Sequence, residues 1–434
     1  MSFHNKVEVK QFEVDIPENS RNTGKVISMT PNIPTKVAEI TFDCLKPGDC
    51  VWLNSIFHVD KSGSGVVRVN HSILKKNDEI YSAATEVDDF QDDLGQIFSQ
   101  QTVDVITTLE KDVTYTVVCF ADQQDAFLQG PITFTGTRFV EGKKSFKRIS
   151  NGLLKNVLEF QFSRPPINSN TDEGPISMTP NIPTKVAEIT FNCLKPGDCV
   201  WLNSIFHVNN DTGLTVTVNH RILKNNNPIY TASTNIEDGG EDNQGQIFPQ
   251  QFVDVITTLE KDVTYTVVCD TDMPMVNLSG PIILTGTRLV EDRTQFEFNP
   301  RPPVNSNTFK TPISTDDLIP TEVATITFDC LKPGDRIWLN SIFHVDNNTT
   351  TSSVVTVNHR ILKNNDPNPI YNASTEIDFP TRDGQGQIFS QQFVDVITTL
   401  EKDVTYTVVC DTDTLLVNLS GPIIFTGTRL VKDK

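Results

Sequence analysis

The sequence predicts an all-β protein: three tandem jelly-roll β-sandwich domains, each preceded by an extended docking strand. Three observations carry this. A long block recurs three times along the chain. Within each block apolar and polar residues alternate, or β-branched and aromatic residues cluster between turn signals. No stretch of useful length carries apolar residues at helical spacing.

The repeat comes first because it sets every boundary. ISMTPNIPTKVAEITFDCLKPGDCVWLNSIFHV begins at Ile27 and returns almost unchanged at Ile176, and IPTEVATITFDCLKPGDRIWLNSIFHV begins at Ile319. Trp52, Trp201 and Trp338 mark equivalent positions. The period is far too long for a solenoid, and each unit of about 115–125 residues is an ordinary domain size. The division is an N-terminal arm at 1–25, domain 1 at 26–141, a strand-bearing linker at 142–174, domain 2 at 175–291, a second such linker at 292–311 and domain 3 at 312–434.

The elements follow in order. KVAEITFDC alternates as a half-buried strand. KPGD has Pro second and Gly third, the chemistry of a type II turn. CVWLNSIFHV and VVRVNHSIL are β-branched and aromatic, joined by a polar Gly/Ser loop as in a hairpin. VDVITTLEKDVTYTVVC reads as two strands about a charged turn, and GPITFTGTR with its later copies closes each domain.

A strand pair broken by PGD, an ILKNND-type hairpin before a Tyr, a DVTYTVV strand and a last strand ending FTGTRLV together resemble the C1q/TNF-like jelly roll. The chain also resembles jelly-roll subunits of Bacillus spore surfaces, including endospore-appendage subunits. That second resemblance implies a jelly roll with an N-terminal arm that docks on a neighbour. Appendage arms carry cross-linking cysteines, whereas no cysteine precedes Cys44 here.

Bulk composition excludes several classes. With 434 residues, 37% hydrophobic and 21% charged, the chain is globular and exceeds one core. A net charge of −19 argues against nucleic acid or an anionic membrane as partner. No apolar run is long enough to insert in a membrane. MSFHNKVEVKQFEVDIPENS has no apolar core, so the expected location is extracellular or on a spore or cell surface, reached without a recognisable signal peptide.

Candidate chemistry is sparse. His58, His207 and His344 are equivalent, as are His71, His220 and His359, so a two-histidine metal site per domain deserves weighing. His71 shares its strand face with Val67, Val69 and Ile73, which favours a packed structural histidine. Ser55 lies near His58 on one strand, but alternation sends their side chains to opposite faces. The acidic loops at Glu86–Gln96, Asn235–Gly245 and Glu376–Gln385 preserve no ligand spacing that would mark a calcium site. The expectation is therefore no catalytic residue, no metal and no cofactor. Three near-identical domains suggest a building block used for length or valency.

The cysteines fall into three classes. Cys44, Cys193 and Cys330 are equivalent, as are Cys119, Cys269 and Cys410, which makes three candidate intradomain disulfides. Cys50 and Cys199 form a third class, a candidate link between domains or subunits, with Arg336 at the corresponding place in domain 3. Buried thiols are the alternative.

Finally, an isolated strand returns ahead of each domain. QFEV holds Phe12 and Val14, extended by Val7 and Val9; EFQF holds Phe160 and Phe162; QFEF holds Phe296 and Phe298. A lone strand with an apolar face must join a sheet. It can dock on the domain after it, giving a closed monomer. Docking on the domain before it would leave the first strand free for domain 3 of another copy, a head-to-tail filament. The expectation is the filament: a self-assembling homopolymer, with other surface proteins as anchor or tip. The alternatives are an intrachain C1q/TNF-like pseudo-trimer that binds or adheres, and a virion structural protein.

Overall fold

The computed structural model describes residues 7–18, 24–31, 33–62, 66–88, 96–141, 157–163, 172–212, 214–236, 246–290, 296–301, 310–347, 355–377 and 387–431. Among them the regular structure is entirely strand. Domain 1 with its leader comprises β1 (Val7–Glu18), β2 (Lys25–Val26), β3 (Thr35–Leu45), β4 (Cys50–Lys61), β5 (Val66–Lys75), β6 (Asp78–Asp88), β7 (Gln96–Val105), β8 (Glu110–Ala121) and β9 (Ala126–Glu141). Domain 2 repeats them as β10 (Val157–Phe162), β11 (Asp172–Pro175), β12 (Thr184–Leu194), β13 (Asp198–Asn210), β14 (Val216–Lys224), β15 (Asn227–Ile236), β16 (Gln246–Val255), β17 (Glu260–Thr271) and β18 (Val276–Val290). Domain 3 comprises β19 (Phe296–Arg301), β20 (Lys310–Pro312), β21 (Thr321–Leu331), β22 (Arg336–Asn347), β23 (Val355–Lys363), β24 (Tyr371–Ile377), β25 (Gln387–Val396), β26 (Glu401–Thr412) and β27 (Val417–Leu430).

Each domain is two antiparallel sheets packed face to face. In domain 1 one sheet runs β1-β9-β4-β7, with β2 also on β9, and the other runs β3-β8-β5-β6. Domains 2 and 3 repeat this order strand for strand. The chain crosses repeatedly between the sheets, which is jelly-roll connectivity. A separate apolar core fills each sandwich; in domain 1 it includes Ile40, Phe42, Leu53, Phe57, Phe98, Tyr115 and Phe134.

The local signals act as their chemistry dictates. In KPGD, Gly48 takes φ +92° and the Asp49 amide donates to the Lys46 carbonyl at 2.9 Å, closing the type II turn. The glycine of FTGTR is a packing requirement: a Cβ on Gly136 would sit 2.5 Å from Ile40 Cδ1 and 2.9 Å from the Phe42 ring. Gly286 and Gly427 repeat this against Ile189 and Ile326. Only a bare backbone lets the two sheets approach this closely.

Two expected hairpins do not form. β4 pairs with β7 and β9 rather than with β5, and β7 and β8 lie in opposite sheets. The reason is that β4 is buried on both faces, so it needs a sheet neighbour on either side and a packed layer above and below. The β5–β6 hairpin does form, with Lys76 in the turn at φ 58°.

Within the chain each leader pairs with the domain that follows it, not with the one before it. β1 pairs antiparallel with β9 of its own domain, placing Val7 opposite Glu141, Val9 opposite Phe139, Phe12 opposite Thr137 and Val14 opposite Thr135. β10 does the same on β18 and β19 on β27. So Val7, Val9, Phe12 and Val14 belong to a strand docked in cis. A tethered strand meets its own domain at far higher effective concentration than any other copy's. Val9 and Phe12 are both buried although an odd number of positions apart, because the register slips between Val9 and Gln11. That bulge puts the odd-numbered Val9 on the same face as the even-numbered Phe12 and Val14.

The three expected intradomain disulfides do not form: Cys44, Cys119, Cys193, Cys269, Cys330 and Cys410 are free thiols. Cys44 lies opposite Lys111 and Cys119 opposite Thr35, so the pair sits at opposite ends of the β3–β8 ladder. At the rise of a strand that is roughly 28 Å, against the ~7 Å limit between bridged Cα atoms. Cys193 with Cys269, and Cys330 with Cys410, are held apart the same way.

Candidate functional site

A fourth buried cluster belongs to no single domain. It gathers Trp52, Trp201 and Trp338 with Cys50 and Cys199, the leader residues Val9, Phe12, Phe160, Phe162 and Phe296, and Phe139, Leu289 and Leu430 of the last strands. The alternation of β4 explains it. Val51, Leu53, Phe57 and Val59 enter their own core. Trp52, Asn54, Ile56 and His58 point the other way, and so do their counterparts on β13 and β22. The three strands therefore present a series of levels to one pseudo-threefold axis.

At the first level the three indoles meet edge to face. Trp52–Trp201, Trp52–Trp338 and Trp201–Trp338 have centroid distances of 5.6, 5.4 and 5.4 Å and interplanar angles of 70°, 63° and 66°. Each indole then packs at a tilt against the Phe of the next leader: Trp52 against Phe160 at 5.7 Å, Trp201 against Phe296 at 5.8 Å and Trp338 against Phe12 at 5.5 Å. A leader thus joins the following domain through its backbone and the preceding domain through its aromatic side chain. Phe12 of the first leader closes the ring on domain 3 of the same chain. Arg336, standing where the other domains carry Cys50 and Cys199, seals that joint by donating from Nη1 to the Phe12 carbonyl at 2.9 Å. Phe298 packs against the same cluster half-buried.

The second level is polar. Asn54, Asn203 and Asn340 with Gln101, Gln251 and Gln392, backed by the neighbouring serines and isoleucines, line a partly open polar space of about 40 Å³. Hydrogen bonds pass round the axis in one sense. Gln101 Nε2 donates to Thr285 Oγ1 at 3.1 Å, Gln251 to Thr426 at 3.2 Å and Gln392 to Thr135 at 3.2 Å.

The third level carries the histidines. His58 stacks on His359 of domain 3 at 6.4 Å, His344 stacks on His220 of domain 2 at 6.4 Å, and His207 lies close to His71 of domain 1. His71 and His58 are in opposite sheets, so no two-histidine site forms within a domain; the pairs run between domains. Gln100 Nε2 donates to His71 Nδ1 at 2.6 Å, which leaves the proton on Nε2 to reach Thr85 Oγ1 at 3.2 Å. His220 and His359 repeat the arrangement with Gln250 and Thr234, and with Gln391 and Thr375. Burial, then the facing histidine, holds His71, His220 and His359 well below the usual imidazole range. Burial alone lowers His207 and His344 to about 3.

The remaining sequence candidates find structural surroundings. Ser55 turns inward and donates to Gln100 Oε1 at 2.7 Å, away from His58. Burial pushes the Cys119 and Cys269 thiols up to about 12 and raises Cys410 as well. Among the described residues no group of three His, Cys, Asp or Glu side chains is placed to hold a metal. The acidic loops lie almost wholly outside the described residues. Sequence reasoning missed the Trp, Asn and Gln levels. The available signal was WLNSIFH itself, a strand with large apolar residues at both parities, which a sheet with one solvated face does not explain.

No family model and no curated protein matches the chain. Among solved structures, PNGF-II in its P21 space group is matched at TM-score 0.27 and 9% identity, over 84% of this chain and 99% of that one. Sulfolobus Turreted Icosahedral Virus is matched at TM-score 0.19 and 14% identity, over 96% and 92%. Latent PorU from Porphyromonas gingivalis is matched at TM-score 0.19 and 9% identity, over 82% and 32%. Likeness this low bears on neither the fold nor the function of the chain.

Proposed function

We propose that the protein is a non-enzymatic structural module: a single-chain, three-lobed head of C1q/TNF-like form, displayed on a spore, cell or particle surface for attachment or recognition. The observation that carries this reading is the shared axial core, in which three leaders and three tryptophans make one ring from one chain. A head of this kind gains from one polypeptide the three equivalent outer faces that a homotrimer builds from three. The absence of catalysis is supported by the chemistry of the repeated polar residues. Ser55 spends its proton on Gln100, and the histidines of the outer sheets are clasped by a Gln and a Thr. The surface location rests on the resemblance to spore-surface jelly rolls.

A head-to-tail filament is the second reading. It is favoured by Phe12 and Arg336, which already join the first leader to domain 3 and could make the same contacts between copies. Light scattering with electron microscopy on the full chain separates the two. The head reading expects a three-lobed particle with the mass of one chain at high concentration. Filaments that disappear when residues 1–21 are deleted would overturn it in favour of leader exchange.

A further inference from the structure

Domains 2 and 3 end in tips of a kind that domain 1 lacks. In domain 2 the tip is two loops, residues 176–183 and 272–275, joined where the Thr271 amide donates to the Ser177 carbonyl at 3.0 Å. In domain 3 it is residues 313–320 and 413–416, joined by the Thr412 amide donating to the Ser314 carbonyl at 2.9 Å. An arginine holds each tip from beneath. Arg221 pairs with Asp270 and donates from Nη2 to the Pro180 carbonyl at 3.1 Å. Arg360 pairs with Asp411 and donates to the Asp317 carbonyl at 3.2 Å. Domain 1 has Ser72 in place of these arginines, and Gln123, Gln124 and Asp125 in its matching loop.

The held loops turn large apolar side chains outward. Ile182 and Met275 are 73% and 62% exposed, and Leu318, Ile319, Leu415 and Leu416 between 59% and 86%. A single exposed apolar residue is ordinary, whereas a cluster marks an interaction site. Met275 and Leu416 also occupy left-handed backbone, at φ 64° and 73°. Glycine takes that conformation without strain, and strain kept on a rigid frame points to function. The same loops carry Asp272, Asp316, Asp317 and Asp413, all exposed, and no Lys or Arg. The surface is therefore apolar and acidic, and its electrostatic complement is apolar and basic. A bilayer is a poor match, because inserting Leu318 would carry Asp316 and Asp317 toward lipid.

Resting on the recognition reading above, we propose that the tips of domains 2 and 3 dock a protein segment that presents aliphatic side chains among lysines and arginines. The probe is a labelled peptide of leucine and lysine, titrated against the full chain and read by fluorescence anisotropy. A peptide of serine and lysine is its control. The leucine peptide should bind at least tenfold more tightly. Met275→Gly with Leu416→Gly removes both side chains where glycine relieves the backbone. It should weaken that binding at least tenfold, with thermal unfolding undiminished; should this pair not fold, Ile182→Ser with Ile319→Ser serves the same comparison. Ile33→Ser in domain 1 should leave binding unchanged, and an equal loss there overturns the assignment to domains 2 and 3. Equal binding of the two peptides, or of the leucine peptide by parent and tip variant, overturns the proposal. So does flotation of the parent, but not of the tip variant, with phosphatidylcholine vesicles, which would make the tips membrane anchors. The recognition reading fails separately: filaments sink it, whereas a three-lobed monomer that ignores the leucine peptide sinks the docking site alone.

Discussion

The three cores inside the sandwiches and the fourth core on the axis are built from opposite faces of the same strands. Within a sandwich, β4 contributes Val51, Leu53, Phe57 and Val59, all aliphatic or aromatic and all fully buried. Toward the axis it contributes Trp52, Asn54, Ile56 and His58, a mixture of apolar and polar side chains. The inner cores hold each lobe together chiefly by non-directional burial, with one hydrogen-bonded imidazole apiece in His71, His220 and His359. The axial core adds ring geometry, amide hydrogen bonds and imidazoles, groups that are costly to bury unless matched. It therefore specifies which surfaces meet, as well as contributing stability. A polar interface of this kind should yield first under conditions that leave an oily core intact.

Acid should expose that difference most strongly. The axis-facing His207 and His344 bind protons in the unfolded chain below about pH 6.5 but resist them when folded. Their contribution is complete above that pH and is lost as pH falls toward 3, where His207 and His344 would charge. Each unit of depression is worth about 1.4 kcal/mol, and the two groups act together. Small-angle scattering should report expansion of the particle at a higher pH than the one at which far-ultraviolet circular dichroism reports loss of strand. Coincident transitions would mean that axis and lobes share one fate.

Single truncations should distinguish the cores next. Phe42→Ala in the domain 1 sandwich and Trp201→Ala on the axis should each cost about 3–5 kcal/mol. By hydrogen-exchange mass spectrometry, the first should lose protection in domain 1 alone. The second should lose it along β9, β18 and β27 together. Loss confined to domain 2 would show that the axial cluster is not a shared core.

Gly136→Ala makes a smaller change of a different kind. The added methyl meets Ile40 and Phe42 between the sheets, an overpacking that typically costs about 1–3 kcal/mol. Thermal unfolding should fall accordingly, with the Trp environment, read by near-ultraviolet circular dichroism, unchanged below the transition. The smallest effect is expected from Arg336→Leu, which removes one bond to the Phe12 carbonyl and costs about 1 kcal/mol. Its signature is local: proteolysis should become faster near the N-terminus only.

Much of this was legible in the residues. The alternation of KVAEITFDC, the KPGD turn and the threefold repeat each act through neighbours a few positions away or through simple copying. The docking role of the leaders was readable from their paired phenylalanines, and the core position of His71 from Val67, Val69 and Ile73 on its face. What could not be read was the partner. The same QFEV is compatible with docking forward, docking backward or docking on another copy, because alternation tells which face is buried and says nothing of what covers it.

By itself, then, the sequence determined the strands, their turns, the number of domains and the existence of three sticky leaders, since these follow from side-chain period and local backbone chemistry. Only the tertiary structure decided that backbone pairing goes to the following domain while aromatic packing goes to the preceding one. It alone kept Cys44 and Cys119 at opposite ends of one ladder, and it alone brought Trp52, Trp201 and Trp338 to one axis. Those outcomes depend on contacts between residues more than sixty positions apart, whose geometry is set by how the sheets face one another and by the ring closing through Phe12.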